Sequence, residues 1–191
     1  MSEIIHENKI FKDIDYFEKT VTDREFIECT FINCNLSSSD FSRTDFVECR
    51  FENCNLSMMK LDEVVLNDVK FVDCKMHGID FSVSNEYIFT VDFVRCHIDY
   101  SSFFRRKMPK TVFNDCSLKD VDFFETILAE SKFLKCDFLR AQFSHTNLEK
   151  CDFTSAYDYS IDPADNKLKK ARFSINEIMG LLGQHGIIIE S

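Results

Sequence analysis

The stretch Phe26–Leu36 reads FIECTFINCNL, and twenty residues later Phe46–Leu56 reads FVECRFENCNL. Each carries two cysteines five apart, Cys29 with Cys34 and Cys49 with Cys54. Paired C-x4-C spacing suggests zinc ligands or disulfides until the surrounding residues are read. Large apolar residues keep the same interval: Phe26, Phe31, Leu36, Phe41, Phe46, Phe51, Leu56, and onward to Phe81. The phase then slips by two residues and resumes as Ile88, Phe93, Ile98 and Phe103, continuing to Phe153. A period of five fits neither a helix at about 3.6 residues per turn nor a strand at about 2. It requires a chain that turns a corner every five residues, so that one position always returns to an inner axis.

Composition agrees. The 191 residues are of single-domain size and can bury a substantial core. There are 21 Phe, no Trp, 4 Gly and 2 Pro, too few turn residues for a conventional β-sandwich. No apolar run approaches the roughly 18 residues that cross a membrane. The N-terminus lacks the basic start and apolar stretch of a secretory signal, so a cytoplasmic location is expected. Thiols stay reduced there, and nine cysteines is an odd number for a disulfide framework.

The pentapeptides CNLSS (34–38), SDFSR (39–43), CDFLR (136–140), TNLEK (146–150) and CDFTS (151–155) resemble the pentapeptide-repeat family, whose pattern is A-(D/N)-L-x-x. The resemblance covers about residues 21–156. It implies an all-β solenoid, a right-handed quadrilateral β-helix with four pentapeptides per coil. Residues twenty apart should then stack. One such series reads Phe31, Phe51, Phe71, Phe93, Phe113, Phe133 and Phe153, and Phe173 continues it. The next reads Leu36, Leu56, Met76, Ile98, Leu118 and Phe138. The expected division is an N-terminal cap (1–20), the β-helix (21–156) with a two-residue insertion near 82–87, and a C-terminal cap (157–191). In the last segment Ser174-Ile175-Asn176-Glu177 forms a capping box. Ile175, Ile178, Met179 and Leu182 lie at helical spacing, and Ile187–Ile189 look like a short strand.

All nine cysteines sit two residues before a central residue, a slot that points inward and takes small side chains. Cysteine fills it as a small hydrophobe. A ladder along a rod does not converge as zinc requires, so no metal and no cofactor is expected. His77 and Asp99 fall one coil apart, a surface pair rather than a catalytic dyad. No nucleophile motif or phosphate loop exists, and a solenoid filled by its own side chains has no natural cleft, so no enzyme is expected. Glu86 and Arg106 both fall in inward slots; either they pair, or that corner bulges outward.

The outside carries the functional signal. Residues 1–100 hold 20 acidic and 10 basic residues, and residues 101–191 hold 13 of each, so the net charge of −10 belongs to the first half. An acidic ladder of Glu28, Glu48 and Asp68 is flanked by Glu25 and Asp45, with Asp62 and Glu63 on the adjoining face. Such a surface disfavours direct nucleic-acid binding. It suits a basic partner, or imitation of a duplex. Phe104 and Phe124 share an outward slot and are expected as an exposed aromatic patch. In length, acidity and C-terminal segment the chain looks like the quinolone-resistance members of the family. That resemblance implies a DNA mimic that binds DNA gyrase or topoisomerase IV and protects them from quinolones. It also implies a homodimer formed through the C-terminal segment, at Ile175, Ile178, Met179 and Leu182. The alternative is an interaction scaffold with another protein partner, and a weaker one is a metal- or redox-responsive protein built on the thiols.

Overall fold

The computed structural model describes residues 4–187. The chain winds as a parallel β-solenoid of about eight turns. The strands are β1 (Ile4–Glu7), β2 (Ile10–Lys12), β3 (Arg24–Ile27), β4 (Thr30–Ile32), β5 (Asp45–Val47), β6 (Arg50–Glu52), β7 (Val65–Val72), β8 (Phe89–Val94), β9 (Val112–Asn114), β10 (Lys132–Leu134), β11 (Asp152–Phe153) and β12 (Arg172–Phe173). Every pairing is parallel and joins residues one coil apart, as in Phe31↔Phe51 and Phe113↔Phe133. Single bridges such as Asn35↔Asn55 and Ser102↔Asp122 hold the other two faces.

Corners are made almost without glycine, Gly78 (φ 66°) being the exception within the ladder. A left-handed residue recurs at nearly every fifth position, among them Glu28 (φ 51°), Asn33 (φ 55°), Ser38 (φ 55°) and Arg43 (φ 55°). That conformation is disfavoured for side chains with a Cβ. Here most corner N–H groups are spent across the coil boundary, for example Glu28 N–H to Val47 O at 2.9 Å and Glu48 N–H to Asn67 O at 2.8 Å.

The corner brings every fifth side chain to the axis. The phenylalanine series stacks ring on ring from Phe11 to Phe173, with centroid separations of 4.6 Å for Phe31–Phe51 and 4.9 Å for Phe93–Phe113. A second series, Phe81, Phe103, Phe123 and Phe143, meets it edge-on, as at Phe93–Phe103 (76°). The core is therefore one continuous column.

The cysteines line the inward slots beside it, and all nine are free and buried. Their thiols donate to backbone carbonyls, such as Cys49 Sγ to Phe26 O (3.2 Å) and Cys151 Sγ to Leu128 O (2.9 Å). Burial pushes the Cys49 and Cys151 thiols up to about 12. In the longer ladder the adjacent thiol, together with burial, pushes Cys96 and Cys116 up to about 12.

The structure refines the expected plan in four places. First, the ladder is longer than 21–156. Residues 4–20, expected as a cap, form a coil of their own through β1↔β3 and β2↔β4. Residues 157–173 continue the stack through Asp137↔Tyr157, Asn147↔Lys167 and Phe153↔Phe173.

Second, the register at the insertion differs. Asn85 N–H still bonds Val64 O, and Leu66 then pairs with Phe89 rather than Ile88. Ile88 is 43% exposed and Phe89 fills the axis in its place. The extra residues are thus absorbed at 85–88, and one residue, Thr90, stands opposite the Asn67–Asp68 corner.

Third, of the two alternatives for Glu86 and Arg106 the outward bulge is the one found, and no salt bridge joins them. Arg106 is buried and donates to Ser84 O (2.9 Å) and Asn85 O, with its guanidinium 4.5 Å over the Phe89 ring. Two carbonyl dipoles and an aromatic face replace the carboxylate.

Fourth, the C-terminal helix is a 3-10 helix, Ile175–Leu181, followed by a turn at Gly183–His185, and none of its residues is buried. Ser174 Oγ accepts from the Asn176 N–H, so the cap bonds one residue earlier than a capping box. The cause is tertiary. Gly180 lies flat on Tyr159, where a Cβ would come within 2.2 Å of the Tyr159 carbonyl oxygen, and Gly180 O accepts from Ile161 N–H at 2.8 Å. Leu181 packs against the core. Of the expected Ile187–Ile189 strand, Ile188 and Ile189 lie outside the described residues.

Two measurements check this packing. Phe103→Ala is expected to cost about 3–5 kcal/mol in urea unfolding, whereas Phe104→Ala, one residue on and half-buried, should cost well under half as much. Under native conditions at pH 8 a disulfide exchange reagent should label the thiols far more slowly than free cysteine, and denaturation should release all nine.

Candidate functional site

The bore is filled, so the outward residues form columns with a coil spacing of about 4.8 Å. One corner column runs Asn8, Glu28, Glu48 and Asp68, and the first three donate their N–H groups to the coil above. Glu28, Glu48 and Asp68 are exposed and have no salt-bridge partner among the described residues. Glu25 and Asp45 pair in register on the adjoining face, Glu25↔Asp45, and are half-buried. The structure therefore brings these five predicted acids to one side.

Asp62 and Glu63 are exposed one corner away. Their corner is not uniformly acidic. Arg43 stands between Asp23 and Glu63 and bonds Asp23 at 2.7 Å and 2.8 Å. The Arg43 guanidinium holds the Asp23 carboxyl down at about 2. Similar cross-coil pairs join Asp73–Arg95, Glu125–Arg105, Asp120–Arg140 and Glu130–Lys150. In each, the bonded cation lowers the carboxyl value. Carboxyls held low in the folded chain stabilise it above their ordinary range, and that contribution is lost as the pH falls through the lowered values.

Phe104 and Phe124 do stack, with centroids 5.7 Å apart, but they are half-buried rather than exposed. The Arg105 guanidinium lies 4.7 Å over Phe104, and His145 meets Phe124 edge-on. The pair is a covered ornament of the flank. The most exposed aromatic is Tyr87 (85%), on the projecting corner. His77 lies 3.7 Å from Asp99, whose carboxylate accepts from Ser117 Oγ (2.5 Å) and Lys119 N–H (2.9 Å). Asp99 is thereby held by a hydroxyl and a backbone amide, with no nucleophile poised by His77. Among the described residues no three His, Cys, Asp or Glu side chains converge as metal ligands. No helix among them is long and apolar enough to cross a membrane.

Sequence reading missed what happens to the acidic column beyond the insertion. After Thr90 the same corner runs Lys110, Glu130, Lys150 and Lys170. Lys107 and Lys167 occupy the face beside it, in the column Lys107↔Ile127↔Asn147↔Lys167. The twenty-residue stacking rule, carried past the slip, contains the signal for this change of sign.

The sequence comparisons agree with this architecture. Residues 24–103 match a family described as a pentapeptide repeat region, and residues 116–154 match pentapeptide repeats (8 copies). No curated protein matches the chain. Two trypsin-treated forms of QnrB1, described as a plasmid-mediated fluoroquinolone resistance protein, are similar in structure. One has a TM-score of 0.67 at 16% identity, covering 95% of this chain and 100% of the other. The second has a TM-score of 0.63 at 15% identity, covering 100% of both. At such identity the likeness is one of fold. With both halves of the coil matched and the ladder unbroken between them, the chain belongs to the pentapeptide-repeat family.

Proposed function

We propose that the chain is a non-catalytic binding rod whose acidic corner engages a type II topoisomerase, DNA gyrase or topoisomerase IV, and so protects it from quinolones. The observation that carries this reading is the uncompensated column Glu28, Glu48 and Asp68. Stacked carboxylates about 4.8 Å apart present regularly spaced negative charge along a rigid edge, as a phosphate backbone does. Glu25, Asp45, Asp62 and Glu63 widen that field. The likeness of fold to QnrB1 supports the same reading. The change of sign after Thr90 confines the mimicry to the N-terminal half. Purified protein is expected to relieve quinolone inhibition of gyrase supercoiling. The Glu28→Lys/Glu48→Lys/Asp68→Lys variant should bind gyrase at least about tenfold more weakly, or about 1.4 kcal/mol. Wild-type protein that neither binds gyrase nor alters supercoiling, with or without drug, overturns the proposal.

The homodimer belongs at the C-terminal end. Ile175 is 81% and Met179 46% exposed on the short 3-10 helix, with Ile178 and Leu182 half-buried beside them. An apolar contact there is insensitive to salt. Ile175→Glu/Met179→Glu should therefore yield monomer in light scattering at both low and high ionic strength, with unchanged far-UV circular dichroism.

A further inference from the structure

One side of the rod is charged with opposite signs at its two ends. The N-terminal half presents Glu28, Glu48 and Asp68 along the corner. The C-terminal half presents Lys110, Lys150 and Lys170 on the same corner, interrupted by Glu130, with Lys107 and Lys167 beside them. Lys150 bonds Glu130 at 2.7 Å, while Lys107, Lys110, Lys167 and Lys170 have no salt-bridge partner among the described residues. All are exposed. At mid-rod, one corner away beside Glu63, the segment 85–88 projects Tyr87 (85% exposed) and Ile88 (43% exposed).

This antisymmetry fits one partner closely. A two-fold contact joins a surface to itself with residue i meeting j and j meeting i. Two rods laid side by side in opposite directions would set Asp68 against Lys110 and Glu28 against Lys150, with Glu48 opposite a Glu130 that Lys150 already neutralises. The axis would pass near Thr90, with the two Tyr87 side chains flanking the contact from the adjoining corner. A nucleic acid would meet the same lysines, but the carboxylates on the same edge would repel its backbone.

We propose that this edge is a self-association surface, on which a second copy of the chain docks antiparallel through its oppositely charged half. The contact is distinct from the C-terminal one and differs from it in kind, being electrostatic and narrow. It belongs to the small-interface class, so micromolar, salt-sensitive association is expected. It also covers Glu28, Glu48 and Asp68, so self-association and any other partner of that column exclude each other.

A charge-swap experiment in the Ile175→Glu/Met179→Glu background removes the C-terminal contact. Sedimentation velocity at 50–200 µM protein and about 50 mM salt should show dimer that dissociates at about 0.5 M salt, with the apparent Kd rising at least about tenfold. An acid-reversed variant (Glu28→Lys/Glu48→Lys/Asp68→Lys) should be monomeric alone, as should a base-reversed one (Lys110→Glu/Lys167→Glu/Lys170→Glu). An equimolar mixture of the two should recover a heterodimer at least as tight as the parent's. The left-handed corner already carries lysine at Lys110 and Lys150 and glutamate at Glu28 and Glu130, so both variants are expected to keep the fold. Monomeric parent protein at low salt, variants that still associate singly, or a mixture that fails to associate would each overturn the proposal. So would a parent that stays monomeric yet binds a 20-base-pair DNA duplex in a lysine-dependent way.

Discussion

A left-handed residue at every fifth position is the constraint on which the rest of this molecule depends. Each such corner places a side chain with a Cβ in a region it disfavours, at a cost of order 1–3 kcal/mol. The cost recurs all along the chain, from Asn8 to Lys150 and again at Asp158 and Lys170. It is offset only when coils stack, because the corner amide then finds a carbonyl in the neighbouring coil and the central side chain finds its own kind above and below. A single coil has neither. Order is therefore shared between adjacent coils, and stability accumulates along the rod. The aromatic column is a consequence: a position that always returns to the axis accepts flat rings at the coil spacing, as Phe31, Phe51 and Phe71 show.

The regular part of this arrangement was legible in the sequence because it rests on a one-dimensional rule. Once five residues make a side and twenty a coil, the stack Phe31 to Phe173 follows, and so does the burial of Cys34, Cys54 and Cys74. The irregular parts were not legible because three-dimensional contacts decide them. Counting residues between Phe71 and Phe93 reveals two extra ones but not where the backbone absorbs them. That Phe89 and not Ile88 reaches the axis depends on the guanidinium of Arg106 seated beneath Ser84 and Asn85. The C-terminal segment has helical apolar spacing, yet Gly180 must lie against Tyr159, and that contact shortens the helix to a 3-10 turn. At the other end His6 and Tyr16 stand where a strong repeat would put Phe or Leu, and Ile14 fills the slot that Cys34 takes one coil later, so the first coil hides within the pattern.

Interior and exterior are set by different pressures in such a fold. Inward slots admit few side chains, whereas outward positions bear no packing restraint and are free to follow function. Charge on the outside is informative for that reason. At several corners the chain neutralises a carboxylate with a cation one coil away, as at Asp23–Arg43, Asp73–Arg95 and Asp120–Arg140. The same remedy was open at Glu28, Glu48 and Asp68, where an Arg or Lys at the middle position would have paired both neighbours. Like charges stacked at this spacing repel, so the column lowers stability with no return inside the rod. An arrangement that costs stability, at positions where compensation is easy and is used elsewhere in the same chain, supports the proposed contact outside the molecule.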